Sequence, residues 1–344
     1  MSVDGVEAPA LCFPELVGRP GPGDRVLLNT MAWAMGLGTG GYALVVALPD
    51  ALPPDPPAGA GHLVKARYTP LQATVLGVDE QDSSHHVLLR DADSLDGMPV
   101  VVADLHSALP AVVTGIRAER AETRVAYVMT DGGALPMAFS RTVAGLRGAD
   151  WLVGAVTVGQ AFGGDLEAVT VHTGLLAAHH VLRADVAVVT QGPGNLGTGT
   201  RWGFSGVAAG EALNAASVLG GRPVAALRVS DADPRERHRG VSHHSLTAYG
   251  RVALAAADVV VPAFDGDLGA QVQADAAPLG ERHRLVRVEV AGLTAALEAC
   301  PVGLSSMGRS LVDDPACFLA SAAAGRHAAR LLTHPTTNPT TIMH

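Results

Sequence analysis

Short apolar segments rich in Val alternate along most of the chain with polar loops and with longer Ala-rich segments. Short continuous apolar runs are typical of strands that are buried on both faces. Because strands that alternate with helices form parallel sheets, we predict an α/β fold with a mainly parallel, Rossmann-like three-layer sheet. The predicted strands are Pro99–Ala103, Arg124–Met129, Leu152–Val158, Ala168–Val171, Val186–Thr190, Pro223–Val229 and Asp258–Val261. The predicted helices lie near residues 108–120, 136–147, 173–182, 206–219, 245–257 and 315–332.

The two ends of the chain have different patterns. We interpret residues 1–48 as a small β-rich unit that precedes the sheet. Residues 49–61 (PDALPPDPPAGAG) contain five prolines, a composition typical of a linker. The α/β domain is then expected over residues 62–332, and the polar, proline-broken tail 333–344 is predicted to be disordered.

Charge and cysteine content narrow the class of protein. A formal net charge of −9 argues against a nucleic-acid-binding protein, which needs a basic surface. No apolar run is long enough to cross a membrane, so we expect no membrane contact. Three scattered cysteines form neither a metal-binding spacing nor a disulfide framework, which favours a cytoplasmic location. Symmetric dimers are the commonest oligomers, so we expect a homodimer.

The densest group of polar residues is Asp231–His244 (DADPRERHRGVSHH), which directly follows the apolar run Pro223–Val229. It holds three carboxylates, three arginines and three histidines. Burying so many polar groups is costly unless they are solvated or used. Planar guanidinium groups bind oxyanions with two hydrogen bonds, so we predict that Arg235, Arg237 and His238 bind a small anion.

The same segment ends on two histidines that precede a predicted helix. His243 and His244 are candidate general acids or bases because imidazole titrates near neutral pH, and Ser242 is a plausible N-cap of that helix. The alternative is that an Arg–Glu network fixes this segment, or that it forms a subunit contact.

Other acidic and imidazole groups follow predicted strands. Asp104 and His106 close the strand PVVVA, and residues i and i+2 of an extended chain face the same side. We predict that Asp104, His106 and His172 bind a divalent metal of the Zn, Mn or Mg type and that Asp104, His106 and Asp131 take part in catalysis. The alternatives are that Asp104 caps the next helix with His106 in solvent, and that Asp131 bonds its own turn.

A glycine-rich loop, Gln191–Arg201 (QGPGNLGTGTR), follows the strand VAVVT. It matches G-x-G-x-x-G, but no helix begins within the glycines and the expected acidic residue about 20 positions later is missing, so dinucleotide binding is disfavoured. We interpret the loop either as a set of backbone N–H groups that bind a phosphate or carboxylate, or as a long glycine-rich connection. Its predicted substrate-binding residues are Gly192, Gly194, Asn195, Gly197, Thr198, Thr200 and Arg201.

Several long segments carry a resemblance to a known family. DADSLDGMPVVVADLHSALPAV, YVMTDGGALP, TVGQAFGGDLEAVTVHTGL, QGPGNLGTGTRWGFSGVAAGEALNAA and DPRERHRGVSHHSLTA resemble a bacterial family catalogued as domain of unknown function 3866. The resemblance runs from about Leu27 to Gly325. It implies no activity, cofactor or catalytic residue.

Together these patterns favour an enzyme that acts on a small anionic substrate, by metal-assisted hydrolysis. The alternative is a non-catalytic ligand-binding or regulatory protein that uses the same cleft, with the small β unit as its interaction module. In either case ligands of parallel α/β sheets bind beyond the carboxyl ends of the strands, where the polar clusters are predicted to lie.

Overall fold

A computed structural model describes residues 1–3, 5–37, 40–54 and 59–332 of the chain. The predicted disorder of residues 333–344 and part of the predicted linker, residues 55–58, lie outside the described residues. No helix of the described part is both long enough and apolar enough to cross a membrane.

The largest sheet in the described part has eight strands, and every neighbouring pair is parallel. The strands are β1 (Pro99–Val102), β2 (Val125–Thr130), β3 (Gly154–Thr157), β4 (Leu166–Glu167), β5 (Val186–Gln191), β6 (Arg222–Ala226), β7 (Asp258–Ala263) and β8 (Arg284–Glu289). Their order across the sheet is β4-β3-β2-β5-β1-β6-β7-β8. The predicted α/β class with a mainly parallel sheet is therefore confirmed.

Helices cover both faces of this sheet. They are α1 (Leu109–Glu119), α2 (Arg141–Gly148), α3 (Val171–Leu176), α4 (Ala209–Val218), α5 (His243–Thr247), α6 (Gly266–Ala276), α7 (Leu293–Glu298) and α8 (Pro315–Arg330). One face packs against α1, α2, α7 and α8, and the other packs against α3, α4, α5 and α6. Short 3-10 turns lie at His106–Ala108, Met137–Phe139, Ser205–Ala208, Glu236–His238 and Ala277–Glu281, and π-helical segments at Ala177–Val181 and Ala248–Val252.

The apolar strands have this composition because both of their faces are buried. Along β1, Val100 and Val102 pack into one layer, whereas Val101 and the following Ala103 pack into the other. All four side chains are buried. Alternation of side chains in a strand covered on both faces requires apolar residues at every position, which explains the continuous Val runs in the sequence.

Two glycines allow α1 and α8 to approach closely. A Cβ atom at Gly115 would lie 1.9 Å from the carbonyl oxygen of Ala322, and a Cβ at Gly325 would lie 2.0 Å from that of Val112. Both distances are far below van der Waals contact, so any side chain at either position would force the helices apart. Glycine at these two positions therefore allows α8 to pack closely against α1.

Some elements differ from the sequence prediction. The strand predicted at Ala168–Val171 lies at Leu166–Glu167 instead, because the Thr170 side chain accepts a hydrogen bond from the Thr173 N–H and caps α3. Strand β8 was not predicted because it lies at the edge of the sheet and has a mixed, half-exposed pattern. The helices α6 and α7 were also not predicted.

The N-terminal part, which comprises the described residues up to 98, forms small sheets. Those within residues 1–48 were predicted, whereas the strands at 63–65 and 73–75 lie in the stretch that was assigned to the α/β domain. Its core contains Val17, Val45 and Leu48. The strands are Ser2–Val3 with Val6–Glu7, then Ala10–Leu11, Ala43–Ala47 and Leu27–Asn29, then Leu63–Lys65 with Ala73–Val75; the short helices are Pro14–Val17, Met31–Ala34 and His86–Leu89. Two further pairs, Val229–Ser230 with Gly240–Val241 and Ser305–Ser306 with Arg309–Ser310, lie outside this part.

The connections place a crevice at the carboxyl edge of the sheet. After β1 the chain crosses to the face covered by α1, whereas after the neighbouring strands β5 and β6 it crosses to the face covered by α4 and α5. Adjacent strands whose connections leave in opposite directions open a crevice beyond their carboxyl ends. Polar residues that follow β1, β5 and β6 are therefore positioned to meet there.

Candidate functional site

Three buried polar side chains meet where β1, β5 and β6 end. Asp104 follows β1, Gln191 ends β5 and Arg228 follows β6. The Gln191 side-chain amide donates to the Asp104 carbonyl oxygen at 2.8 Å. The Asp104 Oδ2 atom lies 3.9 Å from Nη1 of Arg228 and 3.5 Å from Nδ1 of His244. The carboxylate charge of Asp104 therefore lies beside both a buried guanidinium and an imidazole ring, although its Oδ2 atom makes no hydrogen bond with any described residue.

A cluster of three histidines lies beside this pair, and we call it the histidine cluster: His238, His243 and His244. His238 ends a 3-10 turn, and the other two begin α5, whose N-terminus is capped by the Ser242 hydroxyl. Their ring centroids lie 5.0, 4.9 and 4.5 Å apart. Among the described residues this is the only group of His, Cys, Asp or Glu with metal-ligating geometry, and its ligand atoms all lie within 4.8 Å of one another.

Hydrogen bonds orient two of the three rings, and the third ring has a buried nitrogen without a partner among the described residues. Nδ1 of His238 lies 2.7 Å from the Ser242 hydroxyl oxygen. Nδ1 of His244 is 3.3 Å from Arg228. Nε2 of His243 is buried and has no hydrogen-bond partner among the described residues. A buried ring nitrogen without a partner is costly, and a bound ion would remove that cost.

The environment keeps two of the three rings neutral. Burial, followed by the charge of nearby Arg228, lowers the pKa of His238 to about 3. Burial also lowers the pKa of His243 to about 4, with neighbouring His244 and Arg237 adding to the effect. A metal binds the neutral form of imidazole, so these ligands would not need to lose a proton at pH 7.

The glycine-rich loop and the residues that directly follow it support the cluster. The Phe204 ring stacks on His244 with a centroid distance of 3.8 Å and an interplanar angle of 4°. Asn195 accepts hydrogen bonds from Gln191 at 3.0 Å and from Ser205 at 3.2 Å. Asn195, predicted to bind substrate, thus connects the loop to the end of β5.

The rest of the glycine-rich loop is closed by its own bonds. The Thr198 N–H donates to the Gly203 carbonyl at 2.7 Å, and the Thr198 and Thr200 hydroxyls lie 3.1 Å apart. Gly192 packs against Ala134, whose carbonyl oxygen would lie 2.4 Å from a Cβ at that position. The predicted anion-binding groups Gly194 and Gly197 are exposed. Several polar groups of the loop are therefore used in hydrogen bonds that fix its conformation.

The first half of the segment Asp231–His244 is an ion-pair network. Arg235 donates two hydrogen bonds to Asp233, at 2.9 and 2.8 Å, and Arg309 reaches the same carboxylate at 2.9 Å. Arg309 also contacts Asp314 at 3.1 Å. Hydrogen bonding from Arg235 holds the pKa of the buried Asp233 well below its usual range. Arg235 is thus bonded within the protein, but its partner is Asp233, whereas the alternative interpretation expected an Arg–Glu network.

His106 and His172, the other predicted metal ligands, do not join the cluster. Nδ1 of His106 lies 3.0 Å from the Tyr127 hydroxyl and Nε2 lies 2.7 Å from the Ser140 hydroxyl, so both ring nitrogens are occupied. His172 is exposed on α3. Among the described residues the structure therefore does not assemble the metal site predicted from Asp104, His106 and His172.

Asp131 lines a different groove. Its carboxylate accepts a hydrogen bond from the Gln160 N–H at 2.8 Å. The groove has a volume of about 680 Å³ and is also lined by Lys65. Lys65 is buried and donates to the carbonyl oxygens of Ala161 at 3.0 Å and Ala168 at 2.8 Å, and burial lowers its pKa. These bonds fasten the N-terminal part to the edge of the sheet.

A second cavity of about 680 Å³ opens beside His243. Arg201 and Arg237, both predicted to bind substrate, line it together with Arg251. One member of the histidine cluster, His243, and two of the predicted anion-binding arginines therefore share one opening. Arg251 was not predicted because it lies within a predicted helix, where a single arginine is ordinarily a solvated residue.

Comparison with known proteins identifies the family. Residues 9–325 match the model of a family described as "Protein of unknown function (DUF3866)", and the chain belongs to that family. No curated protein and no solved structure matches the chain. The resemblance inferred from the sequence segments is thereby confirmed.

Proposed function

We propose that this member of the DUF3866 family is a metal-dependent enzyme that hydrolyses a small anionic substrate. The ion is held by His238, His243 and His244. The observation that carries the proposal is the convergence of three imidazole rings whose candidate ligand atoms lie within 4.8 Å of one another. Nε2 of His243 is buried and has no partner among the described residues, so an ion bound there would remove the cost of its burial.

The donor set suits a zinc-type ion with catalytic rather than structural coordination. Catalytic zinc sites use three protein ligands and keep the fourth position for water or substrate. An ion bound this way lowers the pKa of its water to about 7 and so supplies hydroxide for hydrolysis at neutral pH. In this reading His243 and His244, which the sequence suggested as acid–base groups, serve as ligands.

The surrounding charges orient the ligands and limit repulsion. Nδ1 of His244 accepts a hydrogen bond from Arg228, so the neutral ring carries its proton on Nε2. An ion on Nε2 would shift that proton to Nδ1, which lies 3.5 Å from Asp104, and Asp104 would then be the carboxylate that orients this ligand. Arg228 brings a positive charge close to the cluster, but Asp104 and Asp233 each lie 3.9 Å from its guanidinium nitrogens. The two carboxylates offset the charge that would otherwise repel the ion.

Metal content and affinity test the proposal. The full chain, loaded with Zn²⁺ and desalted, is expected to hold one ion per chain by inductively coupled plasma mass spectrometry. His243→Ala is expected to weaken zinc binding by at least about 100-fold in a competition with a chromophoric chelator. The matched control is His172→Ala, an exposed histidine on α3, which should leave the affinity unchanged.

Hydrolysis of a panel of small anionic esters by the zinc-loaded chain completes the test. Turnover that is lost in His243→Ala supports the enzyme. Stoichiometric zinc with no turnover of any ester would favour the non-catalytic ligand-binding or regulatory alternative. Absence of zinc from the wild-type chain, or equal losses in the two histidine variants, would overturn the metal site itself.

A further inference from the structure

The cavity beside His243 is formed by three separate elements that each contribute an arginine. Arg201 comes from the end of the glycine-rich loop, Arg237 from the 3-10 turn and Arg251 from the π-helical segment after α5. Gly199 takes a positive φ of 78°, and a Cβ there would lie 3.8 Å from Nη2 of Arg237. The loop and the turn thus lie close together at the rim of the cavity.

The three guanidinium groups differ from the other arginines of this region. Arg235 and Arg309 are held by carboxylates, whereas Arg201, Arg237 and Arg251 have no hydrogen bond or ion pair with any described residue. Like charges that share one opening repel each other unless an anion lies between them. Free guanidinium forks around a cavity are the arrangement that binds phosphate and carboxylate oxygens.

Two carboxylates also line the cavity, and their positions limit where an anion can bind. Asp275 accepts a hydrogen bond from the Val241 N–H at 3.0 Å, so one of its oxygens is engaged with the backbone. Glu281 lies in the 3-10 turn after α6. With three arginines against two carboxylates the lining keeps a net positive charge, to which an ion at the histidine cluster would add.

We infer that this cavity binds the phosphoryl group of a phosphate monoester, placed by Arg201, Arg237 and Arg251 against the histidine cluster. The inference rests on the proposed function and names its substrate class. A phosphate monoester presents three non-bridging oxygens and two negative charges, which three guanidinium groups can match, whereas a carboxylate presents two oxygens and one charge. Leu246, Pro278 and Leu279 line the same cavity and offer apolar contact for a small organic group.

The reaction then balances without a further reagent. The oxygen of water forms a bond to phosphorus, and the bond between phosphorus and the ester oxygen breaks. The ester oxygen takes up a proton that water loses. The products are inorganic phosphate and an alcohol. His243 borders both the cavity and the metal site, so the two halves of this chemistry meet at one residue.

Binding of inorganic phosphate tests the inference. The protein is kept free of metal because phosphate would otherwise bind a metal ion directly. We expect isothermal titration calorimetry, in which phosphate is titrated into the full chain in the presence of EDTA, to show saturable phosphate binding. Arg251→Gln and Arg237→Gln should each weaken it by about tenfold, since charge-assisted hydrogen bonds contribute about 1.5 kcal/mol or more. The matched control, Arg19→Gln, removes an exposed arginine of the N-terminal part and should leave the affinity unchanged.

Zinc binding to the same variants separates this inference from the proposed function. If zinc binds at the histidine cluster but phosphate does not bind the metal-free chain, the phosphoryl site is wrong and the metal site stands. If phosphate binds and zinc does not, the metal site is wrong and the phosphoryl site stands. Equal binding of acetate and phosphate would also overturn the phosphoryl assignment, as would a loss of phosphate binding in Arg19→Gln equal to that in Arg251→Gln.

Discussion

His106 and His243 lie in similar surroundings but differ in what their ring nitrogens contact. Burial lowers the pKa of each to about 4, so both rings are neutral at pH 7. Both nitrogens of His106 are occupied by the hydroxyls of Tyr127 and Ser140, whereas Nε2 of His243 is buried with no partner among the described residues. A buried histidine with a depressed pKa is therefore not in itself a site. The unpartnered ring nitrogen distinguishes the two regions.

The largest expected effect is on stability and concerns His106. His106→Ala would leave the buried Tyr127 hydroxyl and the Ser140 hydroxyl without their imidazole partner and would open a cavity. We expect the free energy of unfolding to fall by about 2–4 kcal/mol in urea denaturation of the metal-free chain, because two hydrogen bonds and the packing of the ring are lost together. Zinc affinity should not change.

His243→Ala is the counterpart of that variant. It removes a half-buried ring whose Nε2 makes no hydrogen bond with any described residue, so the metal-free chain should lose less than about 1 kcal/mol while zinc binding is lost. Equal destabilisation of the two variants, or a loss of zinc binding in His106→Ala, would remove the distinction between the two regions.

The sequence predicted the fold more fully than the site, for reasons that these two histidines illustrate. The Val runs and Ala-rich segments report burial on both faces, so the sheet and most of its helices could be predicted. Asp104 and His106 were expected to face one side because residues i and i+2 do so in a strand. The chain instead turns into a 3-10 helix at His106, and that side chain contacts residues 21 and 34 positions away. No local pattern contains those contacts.

The histidine cluster was recognisable because its members lie within one short segment, Asp231–His244. Its supporting residues were not. Arg228 lies within the apolar run that was predicted to be a strand, so its charge gave no sign of a site. Phe204 has the composition and burial of an ordinary core residue. The partners of Asp233 include Arg309, which is 76 positions away. Long-range ion pairs of this kind decide which arginines are free, and only the fold shows them.

A smaller effect is expected from pH. An unfolded chain binds a proton at His106 below pH 6.5, but the folded chain does so only near pH 4, so the contribution of His106 to stability is present above pH 6.5 and is lost as the pH falls toward 4. Between pH 7 and pH 5 the wild-type chain should lose up to about 2 kcal/mol more than His106→Gln, which cannot titrate. Urea denaturation in EDTA at several pH values measures this difference. Parallel curves for the two proteins would contradict a depressed pKa at His106.

The smallest effect tests whether Asp104 belongs to the histidine cluster. Asp104→Asn keeps the shape of the side chain but removes the charge that lies 3.5 Å from Nδ1 of His244 and 3.9 Å from Arg228. His244 then loses its carboxylate partner and Arg228 loses a counter-charge, so zinc affinity should fall by about tenfold, as is typical when a group that orients a metal ligand is removed. The matched control is Asp131→Asn, an exposed aspartate after β2 that contacts the Gln160 N–H and lines the other groove. Chelator competition measures the zinc affinity of both variants. A lower affinity in Asp104→Asn with an unchanged affinity in Asp131→Asn would show that Asp104 supports the metal ligands. Equal affinities would leave Asp104 as a partner of Arg228 alone.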